Sequence, residues 1–180
     1  MKRSRLVSDE ISTLARTAVE MGAAMGNERL FTFAESCTGG LVAASVVSVP
    51  GASASFPGSV VTYCSEDKAE KLSVRRETLE RYGAVSGQCA AQMARGAILL
   101  FGTRLAVSVT GIAGPGGGLL FKPVGTVWFG LAMDEMTIVQ RGFYPVRREI
   151  VRLCAVRTAL RLLIRGLCCV GRADDILTKL

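Results

Sequence analysis

An α/β domain, with helices on both faces of a mostly parallel sheet and an antiparallel hairpin near the C-terminus, is what this sequence predicts. Three observations carry that expectation. Short apolar or β-branched runs alternate with longer stretches whose apolar residues recur at helical spacing. Two of the short runs empty into glycine-containing loops, at 35–40 and 110–118. The last two runs, 124–132 and 136–143, are separated only by a tight turn at Asp134-Glu135 and therefore pair antiparallel.

The elements follow in order. Residues 8–26 predict a helix, with Asp9 and Glu10 in its first turn and Ile11, Leu14, Ala15, Ala18 and Val19 on one face. Residues 30–34 form a short strand, residues 35–40 a turn, and the Ala-rich residues 41–49 a helix stopped by Pro50-Gly51. Residues 59–64 are β-branched and aromatic and predict a strand. Two short helices follow at 66–71 and 75–82, the second stopped by Gly83. Ser86 caps a helix that reaches about Phe101, and 105–109 is a buried strand running into Thr110-Gly111-Ile112-Ala113-Gly114-Pro115-Gly116-Gly117-Gly118. A long helix over 146–170 closes the chain, with Arg148, Arg152, Arg161 and Arg165 as a polar stripe.

Composition narrows the function. A chain of 180 residues, 49% hydrophobic, suits one compact domain. No run of roughly 20 apolar residues is present to span a bilayer, and the basic N-terminus lacks the apolar stretch of a secretory signal, so a cytoplasmic protein is expected. The six cysteines then read mostly as small buried hydrophobes rather than disulfides. The chain has no histidine. That excludes a Ser-His-Asp or Cys-His mechanism within one chain and any His-ligated metal, so proton transfer near neutral pH falls to a carboxylate, lysine, tyrosine or thiol. Neither a metal nor a cofactor is expected.

Net charge is +7, and eight arginines between Arg141 and Arg172 face only Glu149. Such a surface attracts acidic or phosphorylated partners. A solvated or intersubunit helix face is its default reading, and without exposed aromatics or a known module nucleic acid is not the expected partner.

In open α/β sheets ligands sit beyond the carboxyl ends of the strands, where both glycine-containing loops fall. Ser36 and Thr38 supply hydroxyls on the first loop. A serine needs a base, and Lys68 is the nearest downstream group that burial could neutralise. Cys37 competes as nucleophile, because a thiol at a helix N-terminus is activated. Residue chemistry leaves Ser36 and Cys37 both open. Five glycines in the loop 110–118 are more than a turn requires and indicate ligand contact.

The segments AESCTGG (34–40), VPG (49–51), GSVVTY (58–63) with Lys68, LERYGAVS (79–86), VTGIAGPGGG (109–118) and KPVGTV (122–127) occur in that order. Together they resemble the CinA C-terminal domain / PncC family of nicotinamide-nucleotide amidases, over nearly the whole chain. The resemblance implies a three-layer α/β/α sandwich, a homo-oligomer, and metal-free hydrolysis of nicotinamide mononucleotide to nicotinic acid mononucleotide and ammonia. It places a Ser–Lys pair at Ser36 and Lys68, with Tyr63 beside them, and tips the nucleophile toward Ser36. Thr38, Gly39 and Gly40 on one loop, and Thr110, Gly111, Ala113, Gly114 and Gly116 with Lys122 on the other, become the expected contacts to the nucleotide and its oxyanion.

Three departures stand out. Where the family commonly has Tyr-Ser-Asn-Glu-x-Lys, this chain has Tyr63-Cys64-Ser65-Glu66-Asp67-Lys68. Leu119-Leu120-Phe121 is apolar where the family is polar, and the segment after Phe143 lacks the usual Gly-Asp-Arg. They leave two further readings, a related amidase acting on another carboxamide and a non-enzymatic module associated with competence or DNA damage.

Overall fold

The structure, a computed structural model, describes residues 2–26, 29–133 and 136–177, and the side chains of 6–26, 29–133 and 136–171. Helix α1 (Lys2–Ala24) precedes strand β1 (Phe31–Glu35) and helix α2 (Leu41–Val47), and a single 3-10 turn (Ala52–Ala54) leads to β2 (Ser59–Val61). Then come α3 (Ser65–Leu72), α4 (Arg76–Tyr82), α5 (Gly87–Phe101), β3 (Leu105–Gly111), β4 (Thr126–Met133), β5 (Met136–Phe143) and α6 (Arg148–Leu177).

The five strands lie in the order β2-β1-β3-β4-β5. The β2, β1 and β3 core is parallel, and β4 and β5 add the antiparallel hairpin, as expected. The turn joining that hairpin, Asp134-Glu135, lies outside the described residues.

The sheet's two faces differ in side-chain size, and that difference sorts the helices. Phe31, Phe33, Leu105, Val107, Val127, Phe129 and Leu131 point to the face covered by α1, α2 and α6. Ala34, Ala106 and Ala132 point the other way, toward α5, with α3 and α4 outside it. On that second face Gly130 sits so close to α5 that a Cβ would lie 2.4 Å from the Ala90 carbonyl. α5 answers with Cys89, Ala90, Ala94 and Ala97 around Met93. Small residues let helix and sheet backbones approach closely. Both layers exclude water, so β1 is buried throughout.

Some sequence expectations shift. α1 begins six residues early, so Asp9 and Glu10 lie within it rather than in its first turn. Glu10 pairs instead across to α6, where Arg157 lies 3.5 Å away and Arg161 also reaches it. β2 is shorter than the run 59–64 because Cys64 leaves the sheet to become the N-cap of α3, its Sγ accepting from the Asp67 amide. Of the cysteines, Cys37 and Cys89 are buried and Cys154 is half-buried, but Cys64, Cys168 and Cys169 are exposed; all six are free thiols. The last two follow from helical geometry: α6 packs one face on the sheet and turns 168 and 169 to the outside.

Candidate active site

The strand order reverses at β1. The chain runs from β1 to β2 on one side, then crosses back to β3 on the other. Loops leaving β1 and β3 therefore diverge and leave a crevice at the carboxyl ends of the strands. Ser36 follows β1 immediately, and its amide donates to the Val109 carbonyl of β3 at 2.9 Å. On β1's other flank the Thr62 amide donates to the Glu35 carbonyl at 2.9 Å, which carries Thr62 and Tyr63 to the same edge. One turn into α3, Lys68 points back under this edge.

Lys68 is 1% exposed, and its Nζ lies 3.1 Å from Ser36 Oγ. The same nitrogen meets the Thr62 carbonyl at 2.6 Å and the Cys64 carbonyl at 3.4 Å. Burial penalises the ammonium, so the pKa of Lys68 falls below its ordinary 10.5. A neutral amine has two N–H donors and one lone pair. As an ammonium, Lys68 donates to Ser36 Oγ and to both carbonyls; once it loses a proton, the two carbonyls keep its donors and the lone pair turns to the Ser36 hydroxyl. The acid beside Lys68 in sequence does not reach it. Asp67 is ion-paired with Lys71, and Lys71 is the first cause of its lowered pKa, followed by the Cys64 thiol.

Cys37 is a poor rival. It is 5% exposed, and burial pushes its thiol up to about 12, leaving it protonated at neutral pH. It lacks activation because the N-terminus of α2 is already closed. The Glu35 carboxylate, wholly buried, accepts from the amides of Gly40 at 2.9 Å, Val42 at 3.2 Å and Ala43 at 2.9 Å.

The crevice opens as a cleft of about 270 Å³. It is small for a ligand site and suits a small molecule rather than a polypeptide. Ser36, Cys37, Tyr63 and Lys68 form one wall. Ala84 and Val85 of the α4–α5 loop form another, and Thr110, Gly111, Ile112, Ala113, Gly114, Gly116 and Gly117 the third. Arg148, at the start of α6, closes the rim. Among the described residues no acidic side chain lines it. Thr110 ties two walls together through its hydroxyl, which donates to the Ala84 carbonyl at 2.8 Å. Among the described residues the amides of Ala113, Gly114, Gly116 and Gly117 have no hydrogen-bond acceptor.

Several expected contacts fall elsewhere. Thr38, Gly39 and Gly40 are not on the cleft wall. The Gly39 amide donates to the Ser36 carbonyl at 3.0 Å, and the Gly40 amide is taken by Glu35, so neither is available to an oxyanion. Gly39 and Gly40 are instead needed for the turn, at φ of 61° and 91°. Lys122 lies in an adjoining hollow with Arg81, Tyr82 and Trp128, and its Nζ donates to the Tyr82 carbonyl. Ser65 faces a separate groove with Glu66 and Arg76, and Leu119, Leu120 and Phe121 stand exposed on a small hairpin bridged from Leu119 to Lys122.

Three residues that matter to the site were not singled out from sequence. Glu35 is one. The others are Arg148, which donates to the Gly114 carbonyl at 2.7 Å and to the Tyr63 hydroxyl at 3.2 Å, and Arg152, which donates to the Thr38 carbonyl at 2.8 Å. Both arginines belong to the stripe read as a solvated face. Their position in the first two turns of the helix after the hairpin was the available signal. Among the described residues no helix is long and apolar enough to cross a membrane, and no group of three or more His, Cys, Asp or Glu side chains is placed to hold a metal ion.

Fold and site together define an α/β sandwich with a buried serine–lysine pair at the carboxyl edge of its sheet. The chain belongs to the CinA C-terminal domain family, whose model matches residues 13–167. It is 46% identical over 159 residues to the nicotinamide-nucleotide amidohydrolase PncC of Enterobacter agglomerans, covering 85% of this chain and 97% of that protein. It is 44% identical over 136 residues to a CinA-like protein of Pseudothermotoga lettingae, covering 76% of this chain but 34% of that one. The chain thus spans about a third of the length of several of the curated relatives it matches. Among solved structures, the competence/damage inducible protein CihA from Agrobacterium tumefaciens superposes with a TM-score of 0.83 at 40% identity, covering 87% of this chain and 94% of that one.

Proposed function

We propose that this chain is an amidohydrolase that converts nicotinamide mononucleotide to nicotinic acid mononucleotide and ammonia, with Ser36 as nucleophile and Lys68 as its base. The observation that carries the proposal is the 3.1 Å approach of a desolvated Lys68 Nζ to Ser36 Oγ. A relative named for this activity, matched along nearly its whole length, supports the choice of substrate.

Lys68 takes the Ser36 proton as Oγ bonds to the carboxamide carbon. The carbonyl oxygen becomes an oxyanion, which the unpartnered amides along Ala113–Gly117 are placed to receive. Lys68 then returns the proton to the amide nitrogen, the C–N bond breaks and ammonia leaves. Water, deprotonated by Lys68, attacks the resulting ester and releases the carboxylic acid and Ser36. Arg148, without a carboxylate partner among the described residues, binds the substrate phosphate at the rim. Tyr63, whose hydroxyl accepts from Arg148, orients that guanidinium.

The reading of the arginine-rich helix as a nucleic-acid surface finds less support. Arg148 and Arg152 are committed to the site, and Arg157 and Arg161 to Glu10.

Ammonia release from nicotinamide mononucleotide tests the proposal, with EDTA present throughout. Wild type is expected to turn over, and Ser36→Ala and Lys68→Ala each to lose at least about 10³-fold in kcat. A folded wild-type protein that releases no ammonia would overturn the substrate assignment. Full activity in Ser36→Ala would overturn the nucleophile.

A further inference from the structure

We propose that Glu35 and Arg152 form a clamp that positions Ser36, holding the loop 36–40 from its two sides so that the hydroxyl meets Lys68. This rests on the Ser36–Lys68 reading above. Ser36 lies on a loop made almost entirely of small residues, Ser36-Cys37-Thr38-Gly39-Gly40, two of them glycines at positive φ. Cys37 and Thr38 are buried and anchor its middle, but the two glycines carry no side chain and leave the turn large backbone freedom. Something outside it must hold it still.

Glu35 does so from the strand side. Its carboxylate is wholly buried, makes no ion pair among the described residues, and is satisfied by the amides of Gly40, Val42 and Ala43. These are amides that open α2, so one side chain from the end of β1 locks the far end of the loop back onto its beginning. An ordinary N-cap sits at the helix's own first residue. Here Gly40 stands at that position and provides no side-chain cap. Arg152 acts from the helical layer. It is fixed on α6 and donates to the Thr38 carbonyl at 2.8 Å, in the middle of the loop. Its guanidinium lies 3.4 Å from where a Cβ on Gly39 would be, so it also fills the space beside the turn.

The same arrangement accounts for two features of the site. The negative carboxylate cancels the positive end of α2, which would otherwise activate Cys37 beside the serine. It also occupies the amides of Gly40, Val42 and Ala43, which removes them as oxyanion donors. Neither residue touches the cleft, so both act through Ser36 and not on substrate.

The test is the rate at which a small fluorophosphonate modifies Ser36, followed by intact mass across pH, beside ammonia-release kinetics. The full chain is used as wild type, Glu35→Gln and Arg152→Gln, with circular dichroism melts on each. The clamp requires Glu35→Gln to slow labelling and kcat about a hundredfold, since an ångström of misplacement costs that much. Arg152→Gln should slow both about tenfold, the value of one charge-assisted hydrogen bond. KM and the pH midpoint of labelling, which belong to substrate binding and to Lys68, should stay at wild-type values in both. If Glu35→Gln does not fold, Arg152→Gln decides alone. Variants that melt earlier yet label at the wild-type rate would show ordinary helix capping and overturn the clamp, as would a shifted midpoint. A wild type not labelled at Ser36 would instead overturn the nucleophile itself, before any variant is compared.

Discussion

At the scale of single residues, the site depends on taking one cation out of water. Lys68 works as a base only when neutral, and burial is the first cause of its lowered pKa. Activity should therefore rise with pH to a plateau, with a midpoint below 10.5, measured as kcat/KM for ammonia release. Stability has the same sign. Between the lowered folded pKa and 10.5 the unfolded chain binds more protons at this position than the folded one, so the penalty is full below that window and fades as pH rises through it. Wild type should gain stability relative to Lys68→Met as pH climbs toward 10.5, read from urea midpoints at each pH.

Arg148 makes a second residue-scale prediction. Arg148→Met should raise KM for nicotinamide mononucleotide about 10–100-fold, the worth of a charge-assisted contact of about 1.5–3 kcal/mol. Nicotinamide riboside, which lacks the phosphate, should be hydrolysed equally by wild type and variant. A riboside penalty as large as the nucleotide's would place Arg148 elsewhere in the chemistry. Residue type does not separate Arg148 from the arginines that follow it. What separates them is that it sits in the first turn of α6, where the helix meets the Gly114 carbonyl and Tyr63.

At the scale of elements, the site depends on how near α5 lets α3 come. A Cβ on Gly96 of α5 would lie 2.0 Å from the Leu72 carbonyl, a backbone atom that cannot move aside. Gly96→Ala should push α3 outward and cost about 1–3 kcal/mol of stability, against a gain in helix propensity that is smaller. Because α3 carries Lys68, kcat should fall with it. Urea denaturation and ammonia release on the same protein measure both, and a fall in stability with kcat unchanged would separate the α3–α5 contact from the catalytic pair. The elements were themselves legible from sequence. Alternating apolar runs, the Ser86 cap and the Gly83 stop are local signals, and α5 begins right after its cap as those signals require. Where the boundaries moved, β2 ends early because Cys64 caps α3 through a contact only three residues away, and α1 starts ahead of its acidic residues, with Glu10 held across to α6.

At the scale of the whole molecule, two things were settled at different levels. The sequence by itself determined the α/β class, the antiparallel end of the sheet, the two glycine-containing loops at the carboxyl ends of the strands and the absence of any histidine mechanism. Each of these is a property of residue type and spacing along a short stretch, which local backbone preference and burial translate directly. Only the tertiary structure decided that Ser36 rather than Cys37 faces Lys68, that Lys68 is desolvated, and that Arg148 and Arg152 turn inward while Lys122 does not reach the cleft. Those outcomes follow from the reversal of strand order at β1, which brings residues 32 positions apart within 3.1 Å. The dielectric around a side chain and its neighbours across a sheet edge belong to the assembled layers, and no window of the sequence contains them.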